Sequence, residues 1–252
     1  MPTISHSKKE VLLKLVYYGP GLGGKTTNLD YIHAHSKPEH RGKLLSLASE
    51  SERTLFFDLL PIDLGKFKTY SIRLHLCTVP GQVAYDRTRR LILRNVDGVV
   101  FVVDSQLAQL DANSESLANL AVNLRAQGTD PDRLPVVVQY NKRDLPDVLS
   151  PAELARALGV PVHVKQTEAS AKFGQGVFET LKLIVTECLK LVGDPRKARE
   201  GRTPSILPGH RASMYPGAHS GGPTEASQVH GGLGLADGAR ASEASSSSKK
   251  RS

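Results

Sequence analysis

The eight residues "GPGLGGKT", from Gly19 to Thr26, have the types and spacing of a phosphate-binding loop. They fit the pattern G-x-x-x-x-G-K-[ST], in which glycines let backbone N–H groups face phosphate oxygens without interference from a Cβ atom. An apolar run precedes the loop and a helical pattern from Thr26 to about Ala34 follows it, so the helix N-terminus would add its partial positive charge. Lys25 would reach the outer phosphates, and the Thr26 hydroxyl would bind Mg²⁺.

A second motif, "NKRD" from Asn141 to Asp144, has the chemistry to recognise a purine base. It follows the apolar run "LPVVVQY", and ligands of open α/β sheets bind at the carboxyl ends of strands. The Asp144 carboxylate can accept hydrogen bonds from N1–H and the exocyclic amine of guanine, whereas adenine would turn a lone pair toward it. An unsatisfied buried acceptor rejects a ligand by a factor on the order of 10⁴. Alone, "NKRD" is also a common polar turn. With the phosphate loop it predicts guanine, with Asn141 supporting the loop and the Lys142 stem lying along the base.

A third candidate contact to the base is "EASAK", from Glu168 to Lys172. The small residues Ser170 and Ala171 would let the backbone come close to the ring, with Lys172 beside them. The alternative is an ordinary loop before a helix, and the motif alone does not decide between the two.

Apolar segments alternate with helical patterns along residues 1–192, which predicts an α/β fold. Six segments are predicted strands: "VLLKLVYYG", "TLFFDLLPI", "YSIRLHLCT", "DGVVFVVDS", "LPVVVQY" and "VPVHVKQTE". The second and third are joined by "DLGKFK" and form a hairpin, so we expect a six-stranded, mostly parallel sheet with one antiparallel edge strand and helices on both faces. Ser150, Pro151 and Glu153 have the spacing of a helix start.

Composition changes at the end of this domain, because residues 193–252 are rich in Gly, Ser, Ala, Pro and His. They hold few large apolar side chains to offset the entropy of ordering the chain, so we expect a disordered basic tail.

The net charge of +8 is spread over both regions without a long single-sign run, which disfavours nucleic acid as a partner. No apolar run reaches the ~18–20 residues of a membrane span, and the N-terminus lacks the apolar core of a signal peptide. These features predict a cytoplasmic protein without an integral membrane segment.

The motifs resemble those of a known family. "GPGLGGKT", "NKRD" and "SAK" are similar to the guanine-nucleotide motifs of the Ras-like small GTPases. "KLVYYGPGLGGKTTNL", "RTLFFDLLP", "TVPGQ" and "LILRNVDGVVFVVDSQ" together resemble one bacterial branch, the MglA-type gliding-motility GTPases. The resemblance covers roughly residues 8–192 and leaves out the tail. It implies the small GTPase P-loop fold, with GTP or GDP and Mg²⁺ as cofactors.

The resemblance also implies roles for individual residues. Gly81 would donate its N–H to the γ-phosphate, Gln82 would orient the attacking water, and Arg53 would act as an arginine finger from the protein's own chain, worth a rate factor on the order of 10³ or more. Thr26 and Thr54 would bind Mg²⁺. Without the resemblance, Arg53 would be an ordinary solvated charge beside a loop. The expected nucleotide-binding residues are Gly19, Gly21, Gly23, Gly24, Lys25, Thr26, Thr27, Gly81, Asn141, Lys142, Asp144, Ser170, Ala171 and Lys172.

Thr78 stands where most Ras-like proteins have the aspartate of D-x-x-G-Q. That aspartate usually holds Mg²⁺ through a water, and Thr78 could hydrogen-bond such a water but brings no charge. The same Thr is a mark of the MglA-type branch. Asp58, four residues after Thr54 on the neighbouring strand, either supplies the missing carboxylate or is an ordinary exposed strand residue.

The leading hypothesis is a GTP-hydrolysing switch, in which GTP orders residues of roughly 37–57 and 78–90 and hydrolysis releases them. The resemblance implies a regulator of cell polarity and surface motility, acting in the cytoplasm and at a cell pole through motility or polarity effectors. Hydrolysis would be slow without a roadblock-domain (MglB-like) GTPase-activating protein. The alternative is an interaction module that binds GTP with little or no hydrolysis, which Thr78 and the long tail support. A P-loop kinase or ATPase is disfavoured by "NKRD".

Overall fold

A mixed β-sheet with helices on both faces forms the centre of the domain that the structure describes. In this computed structural model, residues 2–47, 57–67, 69–81 and 85–193 are described. The strands within these residues are β1 (Thr3–Ser5), β2 (Glu10–Tyr18), β3 (Leu45–Leu47), β4 (Phe57–Phe67), β5 (Tyr70–Thr78), β6 (Gly98–Asp104), β7 (Val136–Asn141) and β8 (Lys165–Glu168). The helices are α1 (Lys25–His35), α2 (Asp86–Leu93), α3 (Leu110–Arg125), α4 (Pro151–Ala157) and α5 (Val177–Gly193). Short 3-10 helices lie at Pro38–His40, Leu107–Gln109 and Pro131–Arg133.

The strand order is β3-β4-β5-β2-β6-β7-β8, and β1 pairs with β2. Strands β5, β2, β6, β7 and β8 run parallel, whereas β3, β4 and β5 form an antiparallel edge. This confirms the predicted mostly parallel sheet with an antiparallel edge. The strand number is corrected from six to eight within the described residues, because β1 and β3 have three residues each, too few to show an alternating pattern.

Two further expectations about local structure need correction. Most of the segment "DLGKFK" belongs to a strand and not to a loop. Strand β4 continues to Phe67, with a register shift in its pairing with β5 between Asp63 and Lys66. Helix α2 was not predicted at all, since its sequence "DRTRRLIL" begins with a run of polar residues and is short. The predicted start of α4 is confirmed: Ser150 accepts from the Glu153 N–H, and the Glu153 carboxylate accepts from the Ser150 N–H at 2.8 Å.

The core consists of two apolar clusters, one on each face of the sheet. On one face, α1 and α5 pack against the sheet through residues such as Ile32 and Ile184. On the other face, α2, α3 and α4 contribute Ile92, Leu120 and Leu154. The helices therefore cover both faces, as the sequence predicts, and among the described residues no helix has the length and apolar character to cross a membrane.

The parallel strands bring the predicted motifs to one edge of the sheet. Tyr17 on β2 pairs with Thr78 on β5, and Asp104 on β6 pairs with Asn141 on β7. The loops that follow these strands therefore leave the sheet at the same edge. The predicted boundary at residue 192 falls inside the end of α5, whose last residue is Gly193. The tail from 194 to 252 lies outside the described residues, so its predicted disorder stays a prediction.

Candidate nucleotide-binding site

The predicted phosphate loop joins β2 to α1. Gly24 precedes the helix with a φ of +96°, a left-handed conformation that favours glycine. A Cβ atom at this position would lie 2.2 Å from Nδ2 of Asn141, so the close approach also requires glycine. Gly24 therefore lies against the side chain of Asn141, the last residue of β7, so the phosphate and base motifs are in direct contact.

Lys25 is held inside the phosphate loop by carbonyl groups. It is 7% exposed, and its Nζ donates to the carbonyl of Gly19 at 3.0 Å and to that of Pro20 at 2.5 Å. The pKa of Lys25 is lowered to about 8, mainly by burial and also by the positive charge of Arg89, while the negative charge of Asp58 opposes both. Phosphate oxygens would have to replace the two carbonyls as acceptors from this ammonium group.

Asp58 is the centre of a cluster of hydroxyl groups at the start of α1. Its Oδ2 accepts from Thr26 Oγ1 at 2.7 Å and from Thr78 Oγ1 at 2.8 Å, and its Oδ1 accepts from Ser46 Oγ at 2.8 Å. The backbone N–H of Asp58 also donates to Thr78 Oγ1 at 2.9 Å. Only 9% of Asp58 is exposed, so the interpretation of Asp58 as an exposed strand residue is wrong. The carboxylate lies beside the hydroxyl that the sequence assigns to Mg²⁺.

The loop after β5 closes over the same cavity. Gly81 lies so close to the phosphate loop that a Cβ atom on it would be 2.3 Å from Cα of Gly21. The cavity between these segments has a volume of about 410 Å³. It is lined by Leu22, Gly24, Lys25, Thr26, Thr27, Ser46, Phe57, Asp58, Thr78, Val79, Pro80 and Gly81. Arg53, Thr54 and Gln82 lie outside the described residues, so their predicted roles stay predictions.

At the other end of the site, Asn141 joins three segments. Its Nδ2 donates to the carbonyl of Gly23 at 2.8 Å, and its Oδ1 accepts from the N–H of Ala171 at 2.9 Å. The phosphate loop, the "NKRD" motif and the "SAK" segment therefore meet at one buried side chain.

Lys142 and Asp144, two of the three charged residues of "NKRD", have partners of their own. Lys142 forms an ion pair with Asp104 at 2.5 Å, and Asp104 is only 1% exposed. Ser170 Oγ donates to Oδ1 of Asp144 at 2.6 Å, which brings the "SAK" segment against the predicted base reader. Lys172 has its ammonium group 5.3 Å from the ring centre of Phe173.

Three partners of this site were not identified from the sequence. Asp104 follows the apolar run of β6, and its position at the carboxyl end of a parallel strand was the signal for it. Ser46 lies on the short strand β3, which has no recognisable pattern. Arg89 lies on the unpredicted helix α2 and is 3% exposed, and its position near Lys25 had no signal in the sequence.

Comparison with known proteins agrees with this geometry. The sequence model of "Arf: ADP-ribosylation factor family" matches residues 60–188. The mutual gliding-motility protein MglA of Myxococcus xanthus (strain DK1622) is 52% identical over 194 residues, which is 75% of this chain and 99% of that protein. The chain is an MglA-type small GTPase. As a member of this family it binds GTP and GDP and hydrolyses GTP.

More distant similarity extends to eukaryotic proteins. ADP-ribosylation factor-like protein 4D of Mus musculus is 31% identical over 140 residues, 52% of this GTPase and 66% of the mouse protein. ADP-ribosylation factor-like protein 6 of Caenorhabditis briggsae is 26% identical over 129 residues, 49% of this GTPase and 66% of the relative.

Proposed function

We propose that this GTPase regulates surface motility and cell polarity through the shape of the loops around its nucleotide. The Myxococcus relative is named for gliding motility, and it matches this chain over almost its own full length. The observation that carries the mechanistic part is the placement of Lys25, Asp58 and Gly81 around one cavity. GTP and GDP differ at their phosphate end, and this end would bind in the cavity.

Binding begins with an exchange of hydrogen-bond partners at the phosphate loop. Lys25 gives up the carbonyls of Gly19 and Pro20 for phosphate oxygens, which carry a full negative charge and are stronger acceptors. The N-terminus of α1 adds its partial positive charge. At the other end, Asp144 accepts from the guanine edge, Lys142 lies along the ring, and the backbone of Ser170, Ala171 and Lys172 approaches the base.

The donor set at the start of α1 fits Mg²⁺, which prefers oxygen ligands and a carboxylate. Thr26 supplies one hydroxyl and Asp58 supplies the carboxylate, and Thr54 is the proposed second hydroxyl. When bound, Mg²⁺ would neutralise phosphate charge. Thr78 orients the Asp58 carboxylate by donating to it, so the charge missing at position 78 is supplied from β4. The Thr in "TVPGQ" is then no sign of an inactive site.

Hydrolysis depends on two residues that we propose from the family resemblance. Gln82 orients the attacking water, and Arg53 stabilises the developing charge on the phosphates from the protein's own chain. Gly81, next to Gln82, lies against Gly21 of the phosphate loop. A γ-phosphate that accepts from the Gly81 N–H would reposition this segment, which is how residues 78–90, together with 37–57, would report the bound nucleotide.

The partners that fit this scheme are a roadblock-domain (MglB-like) GTPase-activating protein and effectors of motility or polarity. We propose that the protein acts in the cytoplasm and at a cell pole, with residues 194–252 as a disordered tail after the GTPase domain.

Single-turnover hydrolysis of bound GTP tests the enzymatic part, with and without a roadblock-domain partner. We expect slow hydrolysis that the partner accelerates. Arg53→Ala and Gln82→Leu should keep GTP binding and slow the accelerated rate on the order of 10³-fold. If either variant loses binding and hydrolysis together, the role given to that residue is wrong.

The same experiment separates the switch from a GTP-binding interaction module. Such a module would show no acceleration by any roadblock-domain partner while retaining GTP. The contacts of Asp58 weigh against it, because they remove the argument that Thr78 leaves the metal site without a carboxylate.

A further inference from the structure

A network of buried amide and hydroxyl groups links helix α1 to strand β7 behind the phosphate loop. Asn28 on α1 and Gln139 on β7 are both 0% exposed. Nδ2 of Asn28 donates to Oε1 of Gln139, and Nε2 of Gln139 donates back to Oδ1 of Asn28, each at 3.0 Å. The two side chains therefore form a reciprocal pair with a single relative orientation.

The second N–H of each amide extends the network in opposite directions. Asn28 Nδ2 donates to the carbonyl of Gly24, the phosphate-loop residue that directly precedes α1, at 2.9 Å. Gln139 Nε2 donates to Thr180 Oγ1 on α5 at 2.9 Å. Thr180 in turn donates to the carbonyl of Gly176 at 2.6 Å. All four amide N–H groups of the pair are used, so neither side chain can rotate without losing a buried hydrogen bond.

Such a pair is an unusual choice for the interior of a sheet–helix interface. Burying two primary amides costs desolvation free energy that apolar side chains of similar size would not cost. A fully satisfied buried network instead makes one arrangement rigid and unique. In this protein the network fixes the position of Gly24 relative to β7.

Strand β7 is also the strand that ends in the base-reading motif. Gln139 and Asn141 are two residues apart, so they project from the same face of the strand. Asn141 holds the carbonyl of Gly23, and Gln139 holds that of Gly24 through Asn28. The carbonyls of two adjacent phosphate-loop residues are thus linked by hydrogen bonds to Asn141 and Gln139, which lie on the same face of β7.

We propose that Asn28 and Gln139 are positioning residues, which keep the phosphate loop at a fixed distance from the base-reading loop. The proposal rests on the proposed function, in which one nucleotide contacts both loops. A nucleotide gains the interactions of both ends in full only if their separation is set before it binds. Neither residue lines the phosphate cavity, so the effect is on binding and release rather than on the hydrolytic step.

The test compares single and double substitutions of the pair in the full-length protein. Asn28→Leu or Gln139→Met alone leaves a buried amide partly unsatisfied and lowers stability as well as affinity. The double variant replaces both amides with apolar side chains of similar shape, and its thermal unfolding midpoint without nucleotide should return close to that of the wild type. At this matched stability we expect release of a fluorescent GDP analogue to be about tenfold faster, with KM for GTP raised about tenfold and kcat unchanged.

Tyr140→Phe is the matched control for this comparison. Tyr140 lies between the two key positions of β7 but points to the opposite face, where its hydroxyl donates to Gln166 Oε1 at 2.8 Å. Its substitution removes one partly buried hydrogen bond from the same strand, and GDP release should stay at the wild-type rate.

Release at the wild-type rate by the double variant, with wild-type KM, would overturn the proposal. If that variant does not fold, Thr180→Val serves in its place, because it removes the acceptor of one Gln139 N–H; we expect release about threefold faster. Wild-type release by Thr180→Val would contradict the proposal in the same way. A wild-type protein that retains no guanine nucleotide would contradict the proposed function instead.

Discussion

The two ends of the nucleotide site are built on different principles. At the base end, the recognition residues are held by groups that do not have to move. Asn141 is bonded to two backbone groups, Lys142 is paired with Asp104, and Asp144 accepts from Ser170. These contacts leave the guanine-reading edge assembled before a base arrives.

At the phosphate end, the polar groups are satisfied by one another. Lys25 donates to carbonyls of its own loop, and Thr26 donates to Asp58. Gly81 lies against Gly21, in the region that an outer phosphate would enter. Each of these contacts has to be exchanged or opened when a triphosphate and Mg²⁺ bind.

The difference suits a protein that must bind two nucleotides and respond to only one feature of them. GTP and GDP share the base, so a preassembled base end contributes equally to both. They differ at the outer phosphate, where the protein's own polar groups pair with one another and a phosphate would have to replace those partners. A ligand shifts a conformational equilibrium only through its differential affinity for the two states, and here that difference is concentrated at the end that rearranges.

The largest expected effect comes from Asp144→Asn at the base end. Replacing the acceptor pair with an amide should lower GDP affinity by a factor on the order of 10³. Xanthine nucleotides, which present a carbonyl where guanine has its amine, should gain relative to guanine nucleotides. Competition between GDP and XDP measures both effects, with Asp147→Asn in the same loop as the control. An unchanged preference for GDP would show that Asp144 does not read the base.

The next largest effect is expected from Asp58→Asn at the phosphate end. The substitution keeps an acceptor for the threonine hydroxyls but removes the negative charge, so Mg²⁺ should stabilise bound GDP about 10- to 100-fold less well. The measurement is the GDP release rate over a Mg²⁺ titration. Asp63→Asn, farther along β4, is the matched control. An unchanged Mg²⁺ dependence would remove Asp58 from the metal site.

The base end was easier to predict from the sequence than the phosphate end, because short motifs determine it. The base end depends on short motifs at strand ends, and "NKRD" and "SAK" were sufficient to place Asn141, Asp144 and Ser170 together. The phosphate end depends on the pairing of β4 with β5. That pairing sets Asp58 beside Thr78, and neither residue has a motif that fixes their contact.

The fold shows the same limit. The strands with long apolar runs and the well-capped helix α4 were predicted, because local pattern determines them. The three-residue strands and helix α2 depend on packing against the rest of the chain. Arg89 illustrates this, since an arginine that is 3% exposed is not expected from its polar neighbours in sequence.

The smallest expected effect concerns the rigidity of the base end. Asp104→Asn removes the charge that holds Lys142, and we expect GDP affinity to fall about fivefold. The Mg²⁺ dependence of release should stay at the wild-type level, because Asp104 acts at the base end only. A change in that dependence would mean that the two ends are not separate in the way described.

The central claim is that one pocket reads guanine at Asp144 and phosphates at Lys25. Its most direct test is the nucleotide content of the purified protein, followed by displacement of the bound nucleotide with guanine or adenine nucleotides. We expect GDP or GTP to copurify and to be displaced by GDP and GTP but not by ADP and ATP. Equal displacement by adenine nucleotides, or a protein that retains neither, would contradict the account.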